Sequence, residues 1–373
     1  MIKLDGMLMI GSAGINVGKT ELACSLLSRF GSSNNITGIK VTAIEERDGQ
    51  CPRGGEGCGV CSSLDGAYSI TEETDSSSGK DTARLLAAGA GRVFWLRVMK
   101  ARMKEAATAL LDIIGPDAIS ICESNSLRHV VEPGLFLIAE KNDQKVWKDS
   151  ALQVREYADR IVVSDGRSFD LDIDRVKLIG GKWTLQAQAT AIIMAGGASL
   201  RMGTDKSMLP VKGRPMIEVI CEQLRGHFEQ ILISAADAEK FAFLGFDIVL
   251  DKVPGQGPLM GIASALEASA NEVNFVIACD IPHVEARTIR RLLAEAENSK
   301  ADIIVPSTGE RECEPLFAVY RKSALGAINH VLSSGGRKIS EAFDLCKVKY
   351  VKLEANLANL NTIVDYEEFH EKH

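Results

Sequence analysis

Ala191-Ile192-Ile193-Met194-Ala195-Gly196-Gly197-Ala198-Ser199-Leu200-Arg201-Met202-Gly203-Thr204-Asp205-Lys206 is the stretch that sets the architecture. An apolar strand opens into a glycine-rich turn, followed by an arginine and then a lysine. Gly196 and Gly197 let the backbone come close to a ligand. Its N–H groups can then surround phosphate oxygens while Arg201 and Lys206 neutralise their charge. The motif stands in mid-chain, so the residues before it must form a unit of their own.

The length of 373 residues fits two domains. With 46% apolar and 25% charged residues, each half can bury an ordinary core. A net charge of −7 argues against broad nucleic-acid or membrane-surface binding, so phosphate binding must be local. No apolar run approaches the roughly 20 residues of a membrane span. The start Met1-Ile2-Lys3-Leu4-Asp5-Gly6 lacks the pattern of a signal peptide, and a cytoplasmic location is expected. Of the nine cysteines, Cys24, Cys122, Cys221, Cys279, Cys313 and Cys346 are dispersed, as reduced thiols are.

Strands alternate with helices in both halves. In the first, strands are expected at Gly6–Gly11, Ile36–Ile44, Arg92–Val98, Ala118–Cys122, Gly134–Ala139 and Arg160–Val163. Helices are expected at Gly18–Phe30 and Ala101–Ile114, and a long loop from Cys51 to about Asp75. In the second, strands are expected at Thr190–Ala195, Gln230–Ser234, Asp247–Leu250, Phe275–Ala278, Asp302–Pro306 and Val348–Val351. Helices are expected near Met216–His227, Pro258–Ser269, Arg287–Ser299, Lys338–Leu345 and Val364–Glu371. The expected fold is α/β with two doubly wound domains. Residues 1–170 form a P-loop NTPase-like domain, 171–189 a linker marked by Gly180-Gly181, and 190–373 a Rossmann-like domain.

Ala13-Gly14-Ile15-Asn16-Val17-Gly18-Lys19-Thr20 fits the phosphate-loop pattern, with Ala in place of the first Gly. A strand precedes it and a helix follows, as the pattern requires. The loop around Gly14 and Gly18 would hold phosphates, Lys19 would reach the outer ones, and the Thr20 hydroxyl would meet Mg²⁺. Glu123 and Asp81 are the candidate supporting carboxylates. Cys51-x6-Cys58-x2-Cys61 offers three thiols where a Zn²⁺ site or an iron–sulfur cluster wants four ligands. The fourth would come from Cys122 or from a partner, and exposed or redox-active loop thiols are the other reading.

In the second half Asp251, Gly255-Gln256-Gly257-Pro258-Leu259-Met260-Gly261, Asp280 and Asn359-Leu360-Asn361-Thr362 fall at expected strand ends. There ligands of doubly wound sheets gather. Asp251 suits a ribose or base contact and the Gly257-Pro258 loop can pack against a base. A lone Asp280 suits Mg²⁺ bridging phosphates. Each of these residues could instead cap a helix or make a turn.

The pattern Ala-Gly-Gly-x-Ser-x-Arg-Met-Gly-x-Asp-Lys at 195–206, with Gly257-Pro258-Leu259 and Glu314-Pro315-Leu316, resembles the MobA-type molybdenum cofactor guanylyltransferases over about 190–372. The phosphate loop, with Gly79-Lys80-Asp81-Thr82-Ala83-Arg84 and Ala88-Gly89-Ala90, resembles the MobB-type nucleotide-binding proteins over about 7–165. The three-cysteine loop is foreign to that pattern. Together the resemblances imply a fusion that joins GMP from GTP to molybdopterin and releases pyrophosphate. They imply Arg201, Lys206 and Asp280 as catalytic residues, and Ala195, Gly196, Gly197, Ser234, Asp251, Gly257 and Pro258 around the nucleotide. Glu314, Asn359 and Asn361 would face the acceptor, and molybdoenzymes or other cofactor-biosynthesis proteins would be partners. Where family members carry Asn-x-Asn, this chain has Ser234-Ala235-Ala236, with Ser234 as the stand-in. A cytidylyltransferase for the same pterin and a GTP-binding cofactor-delivery adaptor stay open as alternatives.

Overall fold

In a computed structural model of the chain, the apolar run near the start becomes β1 (Ile2–Ser12), hydrogen-bonded to a parallel strand on each side. The structure describes residues 1–45, 64, 66–196, 205–307 and 313–352. Contacts divide the chain into two units, Met1–Leu185 and Gln186–His373.

The first unit continues as α1 (Lys19–Phe30), β2 (Thr37–Ile44), β3 (Tyr68–Glu72), α2 (Asp81–Ala87), β4 (Arg92–Met99) and α3 (Met103–Ile114). Then come β5 (Ser120–Glu123), β6 (Val131–Lys141), α4 (Asp149–Leu152), β7 (Arg160–Ser164), β8 (Val176–Ile179) and β9 (Lys182–Leu185). Seven strands make one sheet in the order β3-β4-β2-β5-β1-β6-β7, parallel except for β3 against β4. Strand alternation sends Met7 and Met9 into the core on one face, and Leu8 and Ile10 into the core on the other. On the second face Leu22, Leu26 and Leu27 of α1 are buried, each side chain contributing about 1.5–3 kcal/mol.

The residues expected to be a linker form structure instead. Gly180 and Gly181, with φ of 57° and 77°, make the two-residue turn that joins β8 to β9. Both central residues of such a turn need positive φ, which is why two glycines stand there. The hairpin drives Trp183 into the core of the first unit, edge-on to Phe30 with ring centroids 5.1 Å apart. Strand β3 likewise occupies part of the expected long loop.

The second unit runs β10 (Ala187–Met194), β11 (Pro210–Val211), β12 (Arg214–Pro215), α5 (Met216–Leu224), β13 (Phe228–Ala235), β14 (Asp247–Leu250) and α6 (Pro258–Ala268). It continues with β15 (Val273–Ala278), α7 (Ala286–Glu297), β16 (Ile303–Ser307), β17 (Phe317–Arg321), α8 (Leu325–Ser333), α9 (Ile339–Phe343) and β18 (Val348–Lys352). The main sheet has the order β14-β13-β10-β15-β17-β16-β18. It is mixed rather than purely parallel, because β17 runs antiparallel to both β15 and β16. Met216, Ile217, Ile220 and Leu224 of α5 cover the face that carries Ile193, while Leu259, Ile262 and Leu266 of α6 cover the face that carries Ile192. Strand order reverses at β10, with β13 and β14 on one side and β15 on the other, so a crevice opens beyond its carboxyl end.

Candidate functional site

The register of the second sheet brings the motif residues together. Met194 of β10 lies level with Ser234 of β13 and with Ala278 of β15. Ala195 therefore leaves the sheet between the two neighbours. Its N–H donates to the Ser234 carbonyl at 2.7 Å, and the Cys279 N–H donates to the Met194 carbonyl at 3.2 Å. Gly196 passes close to the end of β13, where a Cβ would stand 3.6 Å from the Ala236 nitrogen. Gly197 and Arg201 lie outside the described residues.

Lys206 returns to the same place. It opens a short 3-10 turn whose cap, the Asp205 carboxylate, accepts from the Ser207 N–H at 3.0 Å and its hydroxyl at 2.7 Å. The Lys206 Nζ then meets Asp280 Oδ2 at 3.1 Å, both groups partly buried. Asp280 follows β15 directly. Beside it, burial pushes the Cys279 thiol up to about 12, with the Asp280 carboxylate adding to the effect. The Cys279 thiol therefore stays protonated. Lys240, from the 3-10 helix Glu239–Leu244, pairs with Asp205 and adds a cation that no sequence pattern announced.

A second cluster lies over α6. A Cβ on Gly261 would come within 2.7 Å of Met194 Cε, 2.8 Å of Ser234 Oγ and 3.2 Å of Asp251 Oδ1. The glycine thus lets Met194, Ser234 and Asp251 pack directly against α6. Burial alone pushes the Asp251 carboxyl upward. Gly257, with φ of 76°, caps α6, and Pro258 fills its first position, so the exposed amides of the first turn keep their partial positive charge. Glu314 sits in the turn before β17, where its Oε1 accepts from the Leu316 N–H at 3.4 Å. Asn359 and Asn361 lie outside the described residues, as does the helix expected at Val364–Glu371.

In the first unit, the loop with Gly14 and Gly18 joins β1 to α1. Gly18 has φ of 85° and caps the helix. Lys19 is the first helical residue, and Thr20 is buried behind it. The Lys19 Nζ lies 3.1 Å from Glu123 Oε2 at the end of β5. Glu123 is wholly buried, and among the described residues neither of its carboxylate oxygens accepts a hydrogen bond. A buried carboxylate whose close partner is the Lys19 ammonium, next to the Thr20 hydroxyl, offers the oxygen donors that a hydrated Mg²⁺ takes. The alternative, Asp81, is paired with Lys40. Burial works to raise its carboxyl, and the Lys40 hydrogen bond and charge outweigh burial and hold it low.

No group of three or more His, Cys, Asp or Glu among the described residues could hold a metal ion. Cys51, Cys58 and Cys61 lie outside those residues. Cys122 faces the core of the first unit and is wholly buried, which pushes its thiol far up. Among the described residues no helix is long and apolar enough to cross a membrane.

Residues 191–347 match the MobA-like NTP transferase domain family, and the enzyme class is therefore nucleotidyltransferase. A Natranaerobius thermophilus protein named "Probable molybdenum cofactor guanylyltransferase" is 35% identical over 192 residues, 48% of this chain and 93% of that one. A Shewanella halifaxensis molybdenum cofactor guanylyltransferase is 33% identical over 186 residues, 48% of this chain and 92% of its own. A crystal structure of molybdopterin-guanine dinucleotide biosynthesis protein A from Archaeoglobus fulgidus has a TM-score of 0.45 and 24% identity, covering 49% of this chain and 97% of that one. The chain belongs to the molybdenum cofactor guanylyltransferase family.

Proposed function

We propose that the second unit transfers GMP from GTP to the terminal phosphate of molybdopterin. An oxygen of that phosphate bonds to the α-phosphorus of GTP. The bond from the α-phosphorus to its bridging oxygen breaks, and pyrophosphate leaves with the electron pair. The nucleophile is already an anion, so no general base is needed, and catalysis rests on positioning and charge neutralisation.

The observation that carries this reading is the Lys206–Asp280 pair at the mouth of β10 and β15, beside the Ala195-Gly196 turn. The turn's amides cradle the phosphates, and Lys206 and Arg201 offset the charge of the leaving group. Asp280 would hold Mg²⁺, which supplies further charge neutralisation when bound. Asp251 would accept from guanine N1–H and N2–H, adjacent donors that cytosine lacks, and Ser234 would complete that edge. Glu314, Asn359 and Asn361 are assigned to the acceptor side.

For the first unit we propose MobB-like nucleotide binding on the Gly14–Thr20 loop, with Glu123 and Thr20 near Mg²⁺, as an accessory to delivery of the product. If transfer and delivery are coupled, the intact chain outperforms separately expressed halves.

Asp280→Asn and Lys206→Ala are each expected to slow pterin-dependent pyrophosphate release by about 100-fold or more, the scale of losing one such electrostatic element. Near-normal turnover in either variant removes that residue from the mechanism.

A further inference from the structure

Beyond the loop glycines, the first unit contains a cavity of about 230 Å³ at the carboxyl ends of β1, β2 and β5. Of the phosphate-loop residues only Lys19 reaches it; Gly14, Gly18 and Thr20 do not line it. Its other cations are Lys100, from the turn after β4, and Lys148, just before α4. Ser12, Thr42, Ser124, Asn125, Ser126 and Ser150 give the remaining wall its neutral polar character.

We propose that this cavity binds a second, phosphate-bearing small molecule, a phosphomonoester, distinct from the nucleotide on the loop. Of the three ammonium groups, Lys19 is paired with Glu123 and Lys100 with Glu45, each at 3.1 Å, and Lys148 adds a further positive charge. Among the described residues the lining is left net positive, so an anion is favoured over a cation. Among the described residues no aromatic side chain lines the wall to stack on a planar base. Val41, Ala43 and Ile44 at the end of β2 give one apolar strip for a short organic body.

The walls are built rather than incidental. The Asn125 side chain holds both the N–H and the C=O of Ser12, at 2.7 and 3.1 Å, and its amide also reaches Ser150 Oγ at 3.3 Å. A Cβ on Gly11 would stand 2.7 Å from that same amide oxygen, so the glycine admits the clamp. The Lys148 Nζ donates to Ser12 Oγ at 2.8 Å, and its backbone N–H donates to the Ala13 carbonyl at 2.9 Å. The far wall is thereby tied to the start of the phosphate loop. A ligand here would lie against Lys19 and meet the outer end of any nucleotide on the loop. Only this last statement rests on the nucleotide reading.

The test is equilibrium dialysis of radiolabelled glycerol 3-phosphate against the intact chain. The dialysis is repeated with Lys148→Ala and Lys100→Ala, and with a saturating non-hydrolysable GTP analogue and Mg²⁺. Saturable binding is expected. Each substitution should weaken it about tenfold, the scale of one charge-assisted hydrogen bond. The analogue should leave it in place. Lys100 is half-exposed, so its variant is expected to keep the native melting temperature and guards against misfolding as a cause. Affinity unchanged in both variants overturns the proposal. So does full displacement by the analogue, which would make the cavity part of the nucleotide's own site, and so does bound inorganic phosphate that the ester cannot displace. If the analogue fails to bind a Lys19-dependent site while the ester still binds, the nucleotide reading fails and the cavity stands.

Discussion

Gly261 shows how one missing side chain lets a helix close on its neighbours. A Cβ there would stand 2.7 Å from Met194, 2.8 Å from Ser234 and 3.2 Å from Asp251, so a branched residue would push those side chains out of place. Overpacking of this kind costs about 1–3 kcal/mol. Gly261→Val is therefore expected to lower kcat/KM for GTP by roughly tenfold or more, mainly through KM. An unchanged KM would place the base elsewhere. His227 gives a second expectation. Burial pushes it down to about 4 from an ordinary 6.5, and the Arg290 charge adds to the shift. Between those two values the unfolded chain takes up a proton that the folded chain refuses, so stability falls as pH falls. Wild type should lose roughly 2 kcal/mol more than His227→Gln between pH 7.5 and pH 4.5 in urea unfolding. Equal losses in the two proteins would contradict this.

At the scale of elements, the β8–β9 hairpin decides where the first unit ends. Trp183→Ala is expected to destabilise it by about 3–5 kcal/mol, because the indole is fully buried against Phe30. A loss under about 1 kcal/mol in chemical denaturation would show that the hairpin is a loose tail. The same hairpin marks what the sequence concealed. Gly180-Gly181 reads equally well as a flexible boundary and as a tight turn, and only the pairing of flanking strands tells them apart. Strand β17 hid for a related reason: an apolar run buried on both faces carries no mark of its direction. By contrast, β10, α1 and the residues at strand ends were legible. Phosphate chemistry demands glycine, lysine and carboxylate at particular points, and few other uses impose that pattern. Lys240, Lys148 and Asn125 escaped notice because a 3-10 helix and loop segments deliver them, and only the folded topology makes them neighbours.

Across the whole molecule, the chain joins two α/β units that each gather cations at a strand-end crevice, within a protein of net charge −7. The central claim concerns the second crevice. The most direct test is to incubate the intact chain with molybdopterin, Mg²⁺ and equal GTP and CTP, and to weigh the pterin product by mass spectrometry. The account predicts the guanine dinucleotide with pyrophosphate, and its loss in Asp280→Asn. A cytosine dinucleotide, or an unmodified pterin alongside intact GTP, would contradict it.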